Sequence, residues 1–387
     1  MSLLMQQQLL LNLLITKMKK FILISIAAFT ALQGYSQDIT PKYSNEFLSI
    51  GVGASALGKS NAVVAGVDDV TSSYWNPAGL TDVKDFLQIG AMHAEYFAGI
   101  AKYDYIGLAK PIDENSTAGF TFIRFGVDDI PNTTQLIDAQ GRIDYDKITT
   151  FTAGDYGFLF SYARQMPIEG LSVGGNFKVI YRHVGSFAKS WGFGLDAGIN
   201  YKLNDHWRFG GVIRDVTSTF NAWSFNLDDA MIETFQATGN DIPENGLELT
   251  VPKIILGAQY KTNIVKDFYV SSEINFDLNT DGRRNVLIRT SPISIDPHMG
   301  IELGYGKWVA LRAGFGNFQF IKNSDLTESL TFQPNIGIGV GFKNISIDYA
   351  FTDIGDASVA LYSHIFSLKF GLSDPKNKDE GTPSLDE

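Results

Sequence analysis

From Phe86 to Leu372 the chain alternates apolar and polar residues with period two, the mark of strands with one apolar and one polar face. Leu171, Val173, Phe177, Val179 and Tyr181 oppose Ser172, Gly174, Asn176, Lys178 and Arg182. Trp191, Phe193, Leu195, Ala197, Ile199 and Tyr201 then oppose Gly192, Gly194, Asp196, Gly198, Asn200 and Lys202. About fourteen such segments follow one another, each roughly the 9 to 11 residues of a tilted transmembrane strand. They begin near Phe86, Ile100, Thr117, Ala153, Leu171, Ser190, Trp207, Lys253, Phe268, His298, Trp308, Phe332, Ile345 and Ser363. Thr117 to Val127 breaks phase, which predicts a bulge.

The connections separate a soluble sandwich from a membrane barrel. Every second one is short (Pro111–Asn115, Gln165–Gly170, Leu203–His206, Thr262–Lys266, Gly306-Lys307, Lys343-Asn344), and the intervening ones are mostly long. Alternating short and long turns with an even strand number is the arrangement of an outer-membrane barrel, its short turns periplasmic. Tyr162, Tyr201, Trp207, Tyr260, Phe268, Tyr305 and Trp308 all fall where strands leave the membrane on that side, a girdle. Lys178, Asp196, Glu273, Glu302 and Asp348 lie on the polar face and are expected in the lumen. There each must pair or meet water, because an unpaired charge in a dry interior is costly. The predicted fold is an all-β transmembrane antiparallel barrel of about 14 strands spanning residues 86–372.

Composition agrees with this reading. Among 387 residues, 28 Phe, 16 Tyr and 38 Gly favour strands and tight turns, and the net charge of −11 argues against nucleic acid. The absence of cysteine removes disulfides, thiolate metal sites and thiol nucleophiles. Near the N-terminus, Met18-Lys19-Lys20, the apolar FILISIAAFTALQG and Gly34/Ser36 read as a signal peptide over residues 1–36, with Met18 the expected start. Residues 373–387, rich in Pro, Lys, Asp and Glu, are expected to form a disordered periplasmic tail.

Catalytic and metal motifs are thin. The five histidines are scattered, with no H-E-x-x-H and no G-x-S-x-G, and neither an enzyme nor a cofactor is expected. Asp277, Asn279 and Asp281, followed by Gly282, resemble the opening of a calcium loop, but Ile288 stands where its bidentate Glu belongs. Thr217 to Val251 reads as a long outer loop whose Trp223, Phe225 and Phe235 suggest a partner surface or a lid. The segment 37–85 stands apart. Its stretch Ser49–Thr81 is rich in Gly, Ala and Ser and ends in Trp75-Asn76-Pro77-Ala78-Gly79-Leu80, where Asn-Pro marks a turn. Gly51 to Ala56 imitates a dinucleotide fingerprint, but no strand precedes it and no βαβ pattern follows.

Together, the export signal, the strands and this segment resemble the PorV/PorQ branch of the FadL-like outer-membrane proteins. The resemblance is carried by Ala56-Leu57-Gly58, Val67-Asp68-Asp69 and Asn76-Pro77-Ala78. It implies a barrel in the outer-membrane lipid whose N-terminal segment is a plug, with Gly53, Gly58, Asp68, Asp69, Asn76, Pro77 and Ala78 as its motif residues. It also implies a part in type IX protein secretion or cell-surface delivery, with the secretion machinery or its cargo as protein partners. The alternative is FadL-like uptake of a hydrophobic ligand. Uptake predicts an apolar pocket beside the plug and a lateral gap in the wall, and a lumen packed with Lys178, Asp196, Glu302 and their partners would count against it.

Overall fold

A computed structural model describes residues 44–137, 141–323, 325–352 and 362–374. The expected signal peptide and nearly all of the tail lie outside the described residues. The strands are β1 (Leu87–Tyr96), β2 (Ala101–Pro111), β3 (Ser116–Asn132), β4 (Thr149–Gln165), β5 (Leu171–Val184), β6 (Ala188–Lys202), β7 (Trp207–Arg214), β8 (Thr219–Phe225), β9 (Gly246–Thr250), β10 (Lys253–Val265), β11 (Phe268–Asn279), β12 (Ser294–Tyr305), β13 (Val309–Lys322), β14 (Glu328–Phe342), β15 (Ile345–Thr352) and β16 (Ser363–Leu372).

Fourteen of them close a ring. β1 pairs with β2 on one side and antiparallel with β16 on the other, Leu87 opposite Leu372, while β5 pairs with β6 and β7 with β10. Closure leaves no free edge to meet lipid, where nothing would satisfy its N–H and C=O groups. The apolar members of the alternation point outward: Phe177, Trp191, Phe193, Leu195, Ile199, Leu311, Ile338 and Leu368 are exposed, and Lys178, Asp196 and Asn200 are buried inside. At the short-turn end Tyr260 is opposite Trp207 and Phe268 opposite Tyr305, their rings 5.0 and 4.6 Å apart, so the girdle forms as expected.

Two corrections concern the wall. The phase break expected within Thr117–Val127 falls just beyond it: the ladder between β3 and β4 slips between Val127 and Ile130, where Asp129 has φ 57°. The stretch Thr217–Val251 is not simply an outer loop. β6 pairs with β7 along its periplasmic half (Ala197 opposite Ile213) and with β8 along its outer half (Phe193 opposite Phe220). β8 therefore continues β7 after a break at Asp215–Ser218, and β9 precedes β10 in the same way across Val251-Pro252. A period-two reading hides this, because three extra residues at the break shift the register and the aromatics beyond it look like loop residues.

Candidate functional site

The segment Gly51–Asp82 lies inside the barrel and fills much of it. Proline at the first helical position sets the 3-10 turn Pro77–Asp82, and Asn76 caps it, its Oδ1 accepting from Ala78 N at 3.1 Å. The same side chain donates to Val64 O (2.9 Å) and to Ile199 O in β6 (3.1 Å), so one residue ties the turn to the plug and the plug to the wall. Gly53, at φ 84°, occupies the left-handed region that favours glycine, and its N–H points at Met92 Sδ. Gly58 abuts β14, where an added Cβ would stand 3.0 Å from the Gly337 Cα. Asp69 binds Lys369 of β16 at 2.8 Å, and Asp68 is exposed beside it.

Wall glycines seat the plug backbone. A Cβ at Gly174 would stand 2.5 Å from the Pro77 carbonyl carbon, one at Gly210 would stand 2.4 Å from Val64 O, and one at Gly314 would stand 2.3 Å from the Lys59 carbonyl carbon. Between these seats the wall supplies clamps. Glu273 of β11 accepts from Ala65 N (2.7 Å) and Gly66 N (3.0 Å), Asn200 donates to Ala65 O, Asn275 to Asn61 O and Asn176 to Ser73 O.

The five expected lumen residues are all inside, and each has a partner. Lys178 bridges Asp196 (2.8 Å) and Asp215 (2.5 Å), the latter turned inward by the wall break, where it also accepts from Thr219. Arg312 bridges Glu302 and Asp348, both at 2.6 Å, and Tyr269 donates to Glu302. Arg214, which the sequence reading missed, lies over the Tyr74 ring and donates to Leu48 O and Tyr74 O.

Trp223 and Phe225, expected in a lid, stand on β8. The Trp223 indole donates to Glu248 of β9 at 2.6 Å and carries the Arg182 guanidinium on its face. Phe235 lies in the helix Asp229–Ala237 of the outer connection. Asp277, Asn279 and Asp281 do not gather around a common point: Asp277 pairs with Lys253 at 2.6 Å, and Asp281 with Arg284.

Three regions of the lumen, among the described residues, differ in their lining. An outer cavity of about 630 Å³ is lined by Asn61, Asn279, Asn317, Gln319 and the Asp277–His298–Asp296 group, and a periplasmic one of about 570 Å³ by Asp68, Asp69, Lys84, Arg208 and Lys343. Both are polar. The third is apolar and filled. The inner faces of β1 to β5 present Met92, Ala94, Tyr103, Tyr105, Ile123, Leu159 and Ile180, and Phe47, Leu48 and Ile50 of the N-terminal segment pack onto them with Tyr74 and Trp75. A small cavity of about 50 Å³ connects this patch, at Leu48 and Leu159, to Asp215 and Pro252 at the wall break. Across the break, the bond from Val216 N to Leu195 O (2.8 Å) ties the two edges.

No family model matches the chain, and no curated protein does. Among solved structures it is similar to the monoaromatic hydrocarbon channel CymD (TM-score 0.53, 15% identity, covering 84% of this chain and 98% of that one). It is also similar to two toluene transporters, TbuX of Ralstonia pickettii (0.50, 12%, 83% and 98%) and TodX of Pseudomonas putida (0.50, 13%, 84% and 98%). At these identities the likeness is one of fold. With the apolar outer belt it makes the chain a fourteen-stranded outer-membrane barrel.

Proposed function

We propose that this protein is a non-enzymatic outer-membrane conduit for small hydrophobic molecules, with the apolar inner face of β1 to β5 as its binding surface. The observation that carries the reading is that patch: a buried apolar sector of the lumen wall over which Phe47, Leu48 and Ile50 pack together with Tyr74, Trp75 and the plug, and of that cover Phe47, Leu48 and Ile50 are the part a ligand could displace. A ligand pocket is commonly an apolar surface with a few placed polar groups, here Arg214 and the Tyr103 hydroxyl. The break at Asp215–Ser218 supplies the weak place in the wall that uptake requires, and the fold neighbours whose names give a cargo carry monoaromatic hydrocarbons. The test is accumulation of radiolabelled toluene by cells carrying the barrel in a strain without such channels, with Trp75 fluorescence following binding to a purified variant in which the other four tryptophans are replaced by phenylalanine. Saturable uptake and a saturable change in Trp75 emission are expected, and neither above the empty-vector control would overturn the reading.

A second reading, a type IX secretion component that docks partner proteins, draws on the plug motif and on one geometric fact. Clamps from β5, β6, β11 and β16 hold the plug body, which suits a barrel used as a rigid platform. Copurification of secretion proteins from native membranes, together with absent uptake, would favour it.

A further inference from the structure

The outward face of the wall is not apolar everywhere. On β1 and β2, Met92, Ala94, Tyr103 and Tyr105 point into the barrel, so His93, Glu95, Lys102 and Asp104 between them point out. Their side chains are 52, 57, 42 and 36% exposed. Arg124 and Asp128 of β3 continue the patch. The six groups form one network: His93 Nδ1 lies 2.7 Å from Asp104, Arg124 3.4 Å from Asp104 and 3.3 Å from Asp128, Lys102 3.4 Å from Asp128, and His93 Nε2 3.8 Å from Glu95.

Height makes this unusual. A strand rising about 3.3 Å per residue at a tilt of about 40° climbs about 2.5 Å per residue. Counted from the periplasmic ends at Leu87, Pro111 and Ser116, His93, Asp104 and Arg124 stand about 15 to 20 Å up, inside an apolar band that is normally about 25 Å tall. On β14 the outward apolar run reaches from Phe342 to Leu330, about 30 Å by the same measure. On β1 and β2 it stops at Ala91 and Ile106. The ladder runs straight from Phe366 on β16 to His93 and on to Asp104 and Arg124, so an aromatic and the first polar group of the network are direct neighbours. The rim is low here as well, since β1 and β2 are joined by the tight turn Phe97–Ile100 whereas β3 continues to Asn132.

We infer that the outer leaflet is thinned over β1 to β3, and that lipid headgroups and their water, not acyl chains, cover this network. Charges facing acyl chains are strongly disfavoured in a barrel wall, and a hydrophobic span shorter than the bilayer is met by thinning it. A protein partner is the less favoured occupant, because Lys102 and Arg124 are already paired with Asp104 and Asp128 and the network leaves no block of like charge to recognise. The low rim lets headgroups reach the network from above.

The natural chain has no cysteine, so single cysteines report cleanly. His93→Cys and Glu95→Cys are compared with Phe158→Cys and Phe332→Cys, which face out about 18 and 25 Å up by the same measure on β4 and β14 and so stand no lower than His93, in the full barrel reconstituted in phosphatidylglycerol-containing nanodiscs. A membrane-impermeant sulfonated maleimide should label positions 93 and 95 at least tenfold faster than 158 and 332. A bimane at position 93 should be quenched more by a headgroup nitroxide lipid than by a mid-chain one. Labelling as slow as at position 332, or stronger quenching by the mid-chain nitroxide, overturns the inference. So does labelling that is fast in nanodiscs but blocked in native outer membranes, which would assign the face to a protein. Because Glu95 is the most exposed member, its variant keeps the test available should His93→Cys fail to assemble.

Discussion

Glu273→Ala isolates the plug's tightest clamp. In the native protein one carboxylate accepts two plug N–H groups, from Ala65 at 2.7 Å and Gly66 at 3.0 Å, and both it and Ala65 are buried. Truncation leaves two backbone donors without a partner in a tight space. Leaving a buried donor without its acceptor costs about 1–3 kcal/mol, so losing the pair is worth about 3 kcal/mol, the lower part of the doubled range, because lumen water can reach Gly66 from the periplasmic cavity. The barrel ladder is untouched, and Asn76, Asn200 and Asn275 still hold the plug nearby, so the loss should appear as local opening of residues 63–67 and not as global unfolding. At about 1.4 kcal/mol per tenfold, hydrogen exchange of the Ala65 and Gly66 amides should accelerate about 100-fold, while amides of β11 and β12 stay protected. Glu273→Gln keeps one acceptor and should fall between. Unchanged exchange at residues 63–67 in the alanine variant would refute the assignment of Glu273 as a plug clamp.

The other expectations are shorter. Gly58→Trp cannot seat against Gly337 and should abolish the heat-modifiable folded band on electrophoresis; a normal band would mean that the plug does not need to sit there. Arg312→Ala leaves Glu302 and Asp348 without their shared cation, and removing one partner of a buried pair costs about 3–5 kcal/mol, here near the low end because Lys59 and Tyr269 remain on Glu302. The measured midpoint of thermal unfolding should fall and should recover in part in Arg312→Ala/Asp348→Asn. For Asp69, burial alone would raise the carboxyl, but Lys369 and hydrogen bonds from Thr71 outweigh it and bring it from 3.8 to about 2. A depressed carboxyl stabilises the fold above its unfolded value and loses that contribution as pH drops through the folded one, so Asp69→Asn should be less stable than wild type by about 2 kcal/mol at pH 5 and equal to it near pH 2 in a pH series of denaturation midpoints.

Much of the wall was legible because a period-two pattern has only two phases and lipid punishes the wrong one. Starts expected near Leu171, Trp207, Lys253, Phe268, Ile345 and Ser363 are the observed ones. The break at Asp215–Ser218 was not legible, since no proline or glycine marks it; Asp215 and Ser218 adopt positive φ (56° and 57°) because Lys178, Asp196 and Thr219 hold Asp215 from elsewhere in the chain. The plug's contacts were legible only in hindsight. Gly174 and Gly198 fell on the polar face of their strands, where glycine gives no sign of whether it faces water or another backbone. Arg214 closes a strand like any terminal arginine, and only the fold brings Leu48 and Tyr74 to it. The outward charges His93, Glu95, Lys102 and Asp104 were readable in phase, but their meaning depends on β14 as a ruler.

The clamps also say which part of the filling must move if a hydrophobic molecule is to pass. Residues 51–82 are tied around the wall through Glu273, Asn176, Asn200, Lys369 and Gln88, with Arg214 at the edge of the break adding a bond to Tyr74 O. Releasing them means breaking several buried bonds at once while the wall stays still. The segment Ser44–Ile50 is held differently. Ser44 and Asn45 bond Glu248 and Thr250, and Glu46 pairs with Arg284 at 3.0 Å, all three partners lying on β9 or the outer connection after β11. β9 is joined to the wall through β8, which pairs with the outer half of β6 beyond the break, and Arg284 lies in a connection outside the ladder. Phe47 and Leu48, the side chains that cover the apolar patch, lie in that same stretch, and Leu48 O is held by Arg214 at the very edge of the break. Uncovering the patch and loosening the wall at Asp215–Ser218 therefore share one set of contacts, and a ligand that replaces Phe47 and Leu48 acts on both without disturbing the body of the plug.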